Sequence, residues 1–183
     1  MADWDAERRA RLALACVSEP GRTRLVSLLP RFSAEEVWAR LSRGGASAEA
    51  KRATTVDVAA VIGRTEACGA RFVIPGDDEW PSSLGDLGER APYVLWTRGA
   101  SSFLARPLAD FVTLTGARAS TSYGEHVAGT LASDLATAKR IVVAGGAYGI
   151  EGAAHRAALA SGGDTIAVLA NGVDRAYPAG HSE

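Results

Sequence analysis

The sequence predicts an α/β fold in which a small helical domain at 1–70 precedes a parallel sheet at 71–183. Up to about residue 70, apolar positions recur at helical spacing between short turns. After Gly69, short strand patterns alternate with helical patterns, which is typical of a parallel sheet with crossover helices. Two of these strand patterns end in a glycine-bearing turn that leads directly into a helix.

Helical spacing and turn residues define the first domain. Ser33 and Glu36 form the S-x-x-E pattern of a capping box, which marks the start of a helix. Pro30 precedes that helix, a Ser/Gly/Ala loop at 42–48 follows it, and Gly69 closes the last helix of the domain. Helices joined by such tight turns predict a small bundle. The expected helices cover 6–17, 22–29, 35–41 and 56–68.

Strand patterns define the second domain. Two helices, over 123–136 and 150–160, separate the last three strands and form a βαβαβ unit. Right-handed crossover connections make the sheet of such a unit parallel. The expected strands cover 71–74, 93–96, 112–115, 141–144 and 165–170.

The two glycine turns carry most of the functional information. The first turn is Gly116-Ala117-Arg118-Ala119-Ser120, and the second turn is Gly145-Gly146-Ala147-Tyr148-Gly149. Each follows a strand and opens a helix, so backbone N–H groups and a helix N-terminus face the edge where open α/β sheets bind ligands. A phosphorylated ligand is therefore expected. The alternative is that the glycines serve only close strand-to-helix packing.

Side chains in and after the turns offer further ligand contacts. Arg118 can make two parallel hydrogen bonds to a phosphate, and Ser120 can donate to a phosphate while capping the next helix. The alternatives are that Arg118 is an exposed loop residue and that Ser120, Thr121 or Ser122 acts only as the N-cap. Tyr123 and Tyr148 either stack on bases or pack over the sheet edge, and the sequence leaves both open.

Motifs for catalysis or cofactor binding are absent from the sequence. The turns match neither the dinucleotide pattern GxGxxG nor the P-loop pattern, and Cys16 and Cys68 lack metal-ligand spacing. His155 has no evident nucleophile or carboxylate partner, so a hydrogen-bonded helix residue is favoured over a general base. Asp174 and Arg175 form a local ion pair or line the same pocket. We expect no catalytic residue, no metal and no cofactor.

The charge and the hydropathy of the sequence bear on the class of ligand and on the cellular compartment. The formal net charge is −1, with twelve Lys/Arg and nine Asp/Glu in residues 1–75 and eight and twelve in residues 76–183. A nucleic-acid ligand would therefore depend on local donors and not on a broad positive field. The charged N-terminus does not resemble a signal peptide, and no apolar run reaches membrane-spanning length. We expect a cytoplasmic protein without a membrane partner.

Three segments match one family in the same order. They read TGARASTSYG, VVAGGAYGIEGAAHRAAL and TIAVLANGVDRAYP, and each lies at the end of an expected strand. Together with the helical N-terminal segment and the connector RFVIPGDDEWPSSLGDLGERAPYVLWTRG, they make the chain resemble DNA-processing protein A. This is the DprA/Smf family of bacterial competence and recombination proteins, and the resemblance covers nearly the whole sequence.

The resemblance implies a Rossmann-like core that binds single-stranded DNA. It implies a protein that helps to load the recombinase RecA on incoming DNA during natural transformation and that is not an enzyme. Residues 1–70 would correspond to the family's accessory domain, which resembles a sterile-alpha-motif or helix-hairpin-helix module in many members. The implied DNA contacts lie in the two turns and in a third loop at 171–175, and they are Gly116, Arg118, Ser120, Gly145, Gly146, Tyr148, Gly149, Asn171, Gly172 and Asp174.

The chain departs from the family pattern in two places. Many members have a basic residue at the position of Tyr148, so a contact here would depend on stacking and not on charge. Family members also continue beyond the position of Glu183 through further strands. We therefore expect a fragment whose sheet is incomplete at its C-terminal end. The homodimer interface and much of the RecA contact would lie in the continuation.

A second class of function uses the same type of turn. Nucleotide-derivative sensors and phosphoribohydrolases of the same Rossmann-like superfamily bind nucleotides at glycine turns. The hydrolases carry a PGGxGTxxE segment that this sequence lacks, which argues against hydrolysis, whereas a sensor is compatible with the sequence. A piece that acts only in protein interaction is a third alternative. Affinity that grows with oligonucleotide length would distinguish DNA binding from nucleotide sensing.

Overall fold

The structure is a computed structural model that describes residues 5–21, 25 and 27–181. The chain forms two compact units, an N-terminal unit of Met1–Ala105 and a C-terminal unit of Arg106–Glu183. The N-terminal unit contains α1 (Ala6–Val17), α2 (Ala34–Ser42), α3 (Ala48–Ala53), α4 (Val58–Ala67), β1 (Arg71–Val73) and β2 (Leu95–Thr97). The C-terminal unit contains β3 (Phe111–Thr113), α5 (Ser122–Thr137), β4 (Ile141–Ala144), α6 (Ile150–Ala160) and β5 (Thr165–Ala167).

Helix α1 joins the two buried clusters of the N-terminal unit. Leu14 packs in a cluster with Val37 of α2, whereas Leu12 packs with Ile62 of α4 and Phe72 of β1. Strands β1 and β2 pair antiparallel, and their hairpin therefore shares its core with the helices. An ion pair supports this packing, because Arg8 of α1 binds the carboxylate of Asp77 on the turn after β1.

The C-terminal unit is built around a parallel sheet, as the sequence predicts, and its strand order is β3-β4-β5. Its core is formed by small residues of α5 and α6 around Val142 of β4, with Ala132, Ala154 and Ala158 fully buried. Because alanine side chains are short, the two helices approach each other and the sheet closely. The crossover helices are thus held directly behind the turns that precede them.

Among the described residues most expected elements are observed, and one α-helix was not predicted. Strand β4 and helix α6 have the predicted bounds, and β5 is shorter than the predicted 165–170. Helix α3 was not predicted, although Ser47 caps it by accepting a hydrogen bond from the backbone N–H of Ala50 at 3.1 Å. Of the helix predicted over 22–29, positions 22–24 and 26 lie outside the described residues, and the described positions 25 and 27–29 form turns and not a helix.

The two compact units differ from the predicted domains in where they place strands β1 and β2. The predicted domains, 1–70 and 71–183, place the β1–β2 hairpin with the sheet domain, whereas the compact units separate after Ala105. The hairpin belongs to the N-terminal unit because Phe72, Ile74 and Val94 pack against α1 and α4. Which segments form independently folding domains stays a prediction.

We expect Ser33→Ala to lower the free energy of unfolding by about 1 kcal/mol. The Ser33 side chain accepts a hydrogen bond from the Glu36 N–H at 3.2 Å, while the Glu36 carboxylate accepts one from the Ser33 N–H at 2.9 Å. Both bonds of the predicted capping box are thus present, and the substitution removes one of them. Chemical denaturation would measure the loss. Ser42→Ala at the other end of α2 is the control, and equal losses in the two variants would contradict the prediction.

Candidate nucleic-acid interface

The first and second turns pack against each other at the ends of β3 and β4. Gly149 has φ +75°, and a Cβ built on it would lie 2.5 Å from the carbonyl oxygen of Arg118 and collide with that of Ala117. The backbone N–H of Ile150, the first residue of α6, donates to the Ala117 carbonyl at 3.3 Å. A Cβ on Gly116 would lie 2.7 Å from the Ile150 side chain. Glycine is required at both positions by this close approach.

The segment that follows the third loop reaches the second turn. A Cβ on Gly146 would lie 2.5 Å from the carbonyl oxygen of Tyr177, and a Cβ on Gly180 would lie 2.5 Å from the Tyr148 hydroxyl. The three segments that the sequence singles out therefore form one continuous surface of the C-terminal unit. This surface lies beyond the carboxyl ends of the parallel strands, where open α/β sheets bind ligands.

The polar side chains of the third loop form their hydrogen bonds and their ion pair within that loop. The Asn171 amide donates to the carbonyl oxygens of Gly172 at 3.0 Å and Arg175 at 2.9 Å. The carboxylate of Asp174 lies 3.9 Å from the Arg175 guanidinium, so the alternative of a local ion pair is observed. A Cβ on Gly172 would meet the carboxylate of Asp174, which is exposed and can turn away. These residues shape the loop, and their contact with a ligand stays a prediction.

Arg118 is the exposed cation of the first turn. Among the described residues its guanidinium has no hydrogen-bond or ion-pair partner, so its donors face solvent. Tyr123 and Tyr148 are also exposed, with 77% and 51% of their surfaces accessible. Neither ring is buried over the sheet edge, which leaves surface on both rings for a ligand.

Ser120 does not cap helix α5. Thr121 does so, because its hydroxyl oxygen accepts a hydrogen bond from the backbone N–H of Gly124 at 3.1 Å. The Ser120 hydroxyl donates instead to the carboxylate of Glu125 at 2.7 Å. The capping role of Ser120 is therefore wrong, and among the caps that the sequence leaves open Thr121 is the one observed, with the extended backbone that a cap needs.

Sequence reasoning missed two carboxylates in the first turns of the helices. Glu125 of α5 accepts from Ser120 and lies 3.9 Å from Arg156, and Glu151 of α6 accepts from the backbone N–H of Ala147 at 3.0 Å. Glu151 also accepts from the Thr115 hydroxyl at 3.0 Å. Their position could have revealed them, because acidic residues stabilise the positive end of a helix dipole.

His155 is hydrogen-bonded inside the unit, as the sequence favours. Its Nε2 lies 2.8 Å from the Gly145 carbonyl oxygen, and its Nδ1 lies 2.7 Å from the Thr165 hydroxyl. The Thr165 hydroxyl in turn donates to the carbonyl of Val142 at 2.8 Å. His155 therefore connects α6 to the end of β4 and the start of β5, and this role positions the second turn.

Neither a metal-binding group nor a membrane-spanning helix is found in the part of the chain that the structure describes. Residues 5–21, 25 and 27–181 contain no group of three or more His, Cys, Asp or Glu side chains that could hold a metal ion. Over the same ranges, no helix combines the length and the apolar character needed to cross a membrane. Burial raises the pKa of the Cys16 thiol, an effect that the nearby Arg64 charge partly opposes.

The fold and the surface define a Rossmann-like α/β protein with its candidate site at the carboxyl ends of the strands. The sequence matches the family described as DNA recombination-mediator protein A over residues 71–183, and the chain belongs to that family.

Relatives agree with this membership, and a solved structure agrees with the fold. The chain is 41% identical over 198 residues to a DprA-type DNA processing protein of Mycobacterium tuberculosis, covering 97% of this chain and 49% of the relative. It is 38% identical over 106 residues to the DNA processing protein DprA of Streptococcus pneumoniae, covering 56% and 34% of the two chains. The crystal structure of DNA processing protein A from Streptococcus pneumoniae has a TM-score of 0.71 and 22% identity, covering 99% of this chain and 63% of that one. The chain thus spans about half the length of the Mycobacterium tuberculosis relative.

Proposed function

We propose that this chain binds single-stranded DNA on the surface formed by the two turns and the third loop. The observation that carries the proposal is the exposed Arg118 guanidinium, which has no partner among the described residues and lies on the first turn. A planar guanidinium can bind a phosphate through two parallel hydrogen bonds. The biological setting we propose is DNA processing in natural transformation, in the cytoplasm.

The aromatic residues around the surface support a single strand as the ligand. Tyr123 and Tyr148 expose most or half of their surface near the turns that open α5 and α6. Bases of a single strand are free to stack on such rings, and this contact tolerates any base sequence. Bases of a duplex are already stacked on each other, so a duplex would contact the surface mainly through its phosphates.

The charge of the C-terminal unit limits the number of phosphate contacts. Arg106–Glu183 contains six Lys/Arg and seven Asp/Glu, a formal net charge of −1. Arg156 and Arg175 also lie near carboxylates, at 3.9 Å in each case. We therefore expect few phosphate contacts and a shallow salt dependence, because the slope of log affinity against log salt is about −0.7 for each phosphate neutralised on a single strand.

Fluorescence anisotropy with labelled oligo-dT of several lengths tests the proposal. We expect affinity to rise with strand length, to fall with salt and to be competed poorly by duplex DNA. Equal competition by a mononucleotide and by a long strand would favour a nucleotide sensor instead. Absence of binding at low salt would contradict DNA binding by this chain.

We also propose that the family's role in loading RecA applies to this protein. The support is the family membership over residues 71–183. The test follows RecA filament formation on single strands coated with single-strand-binding protein. Faster filament growth on addition of the chain would support the proposal, and an unchanged rate in the presence of bound chain would show that this chain binds DNA without loading RecA.

A further inference from the structure

One donor in each turn is already bound by a carboxylate of this chain. The Ser120 hydroxyl in the first turn donates to Glu125, and the Ala147 N–H in the second turn donates to Glu151. A phosphate approaching these turns would need the same donors. The arrangement raises the question of which turn can accept a phosphate of the strand.

Glu151 fills the second turn more completely than Glu125 fills the first. One carboxylate oxygen of Glu151 accepts from the Ala147 N–H and the other accepts from the Thr115 hydroxyl, both at 3.0 Å. The carboxylate also packs on the backbone of Gly145, since a Cβ there would lie 2.6 Å from its oxygen. Glu151 thus occupies the concave side of the turn, where a phosphate oxygen would otherwise be received.

The charge of Glu151 is not neutralised by a nearby cation. Among the described residues its carboxylate makes no ion pair, whereas Glu125 lies 3.9 Å from Arg156. Its compensation comes from two neutral donors and from the N-terminal end of α6, where negative charge is favoured. A phosphate held at the second turn would therefore face a like charge that no ion pair among the described residues neutralises.

We propose that Glu151 is a specificity-determining residue that excludes phosphate from the second turn. This inference rests on the proposed function, and it assigns different ligand contacts to the two turns. The strand is anchored by a phosphate on Arg118 in the first turn, and it passes the second turn with a sugar or base against the exposed ring of Tyr148. A phosphate would bind only weakly at the second turn, because it would have to displace a carboxylate of the same charge.

Glu151→Gln is the first test, measured with labelled oligo-dT by anisotropy. It removes the negative charge and keeps the size of the side chain. We expect the affinity at low salt to rise about fivefold, the effect of removing one like charge a few ångströms from a phosphate in a solvated site. We also expect the salt slope to steepen, because the repulsion that Glu151 exerts on a phosphate is strongest at low salt and is lost in this variant. Asp134→Asn, which makes the same charge change in the last turns of α5, is the control and should behave as wild type.

Two outcomes of this test would overturn the proposal. Equal affinity and slope in Glu151→Gln and Asp134→Asn would show that the carboxylate does not oppose the phosphate. Weaker binding in both Glu151→Gln and Glu151→Ala would show that the carboxylate serves only to hold the turn. Folding of each variant is checked by the amide spectrum of the C-terminal unit.

A second measurement remains informative if the chain does not bind DNA. Inorganic phosphate is titrated into wild type and Glu151→Ala while the backbone amide signal of Ala147 is followed by NMR. We expect saturable shifts in Glu151→Ala, where the turn is vacated, and none in wild type. Shifts in neither protein would overturn the inference about the turn, whereas shifts together with absent DNA binding would contradict only the proposed function.

Discussion

Gly149→Val should abolish binding of single-stranded DNA and destabilise the C-terminal unit. Gly149 has φ +75° and ψ −129°, a region that side chains strongly disfavour, so the backbone alone would cost about 1–3 kcal/mol. A Cβ would also collide with the carbonyl oxygens of Ala117 and Arg118. The backbone strain and the collision should move the first turn away from the second turn and thereby disrupt the proposed surface. Anisotropy with oligo-dT and hydrogen exchange of the C-terminal unit measure the two losses.

Gly162→Val is the matched control for this substitution. Gly162 also has a positive φ, +69°, but a Cβ there would meet nothing within 4 Å. The control therefore carries the backbone strain without the collision, at the end of α6 away from the turns. We expect it to lose stability and keep DNA affinity. Wild-type affinity in a folded Gly149→Val protein would show that contact between the turns is not needed for binding.

Local signals explain why much of the fold could be predicted. The capping box at Ser33 and Glu36 and the glycine turns before α5 and α6 act over a few residues, so the sequence alone reveals them. Helix α3 has a weaker local sequence signal, because it has six residues and begins in a Ser/Gly/Ala stretch. Its buried residues, Ala50 and Ala53, show that tertiary packing stabilises it. Packing of this kind is not visible in a short sequence window.

The candidate site shows a similar division. The glycines, Arg118 and the tyrosines were predicted from their positions after strands, and the structure brings their segments together. The contact of Glu151 with Thr115 spans 36 residues of sequence and depends on β3 and β4 being parallel neighbours. Sequence spacing does not reveal such a partner, so the occupied second turn emerged only from the structure. Which of the predicted residues contact DNA stays a prediction.

Arg118→Ala should weaken binding of oligo-dT at low salt about tenfold, as expected for losing a hydrogen-bonded charged contact. The slope of log affinity against log salt should become shallower by about 0.7, because one phosphate contact is lost. The thermal unfolding temperature should stay unchanged, since the Arg118 side chain has no partner within the described residues whose loss would destabilise the fold. Affinity and stability are thus expected to separate in this variant.

Two further variants distinguish a specific contact from a general charge effect. Lys139→Gln removes one positive charge beyond the other end of α5, so it should leave the affinity close to wild type. Arg118→Lys keeps the charge but loses the planar pair of donors, and an intermediate affinity is expected. If Arg118→Ala and Lys139→Gln weakened binding equally, the strand would respond to net charge alone. A salt slope unchanged by Arg118→Ala would remove this guanidinium from the DNA contact, and the first turn would then need another anchor for the phosphate.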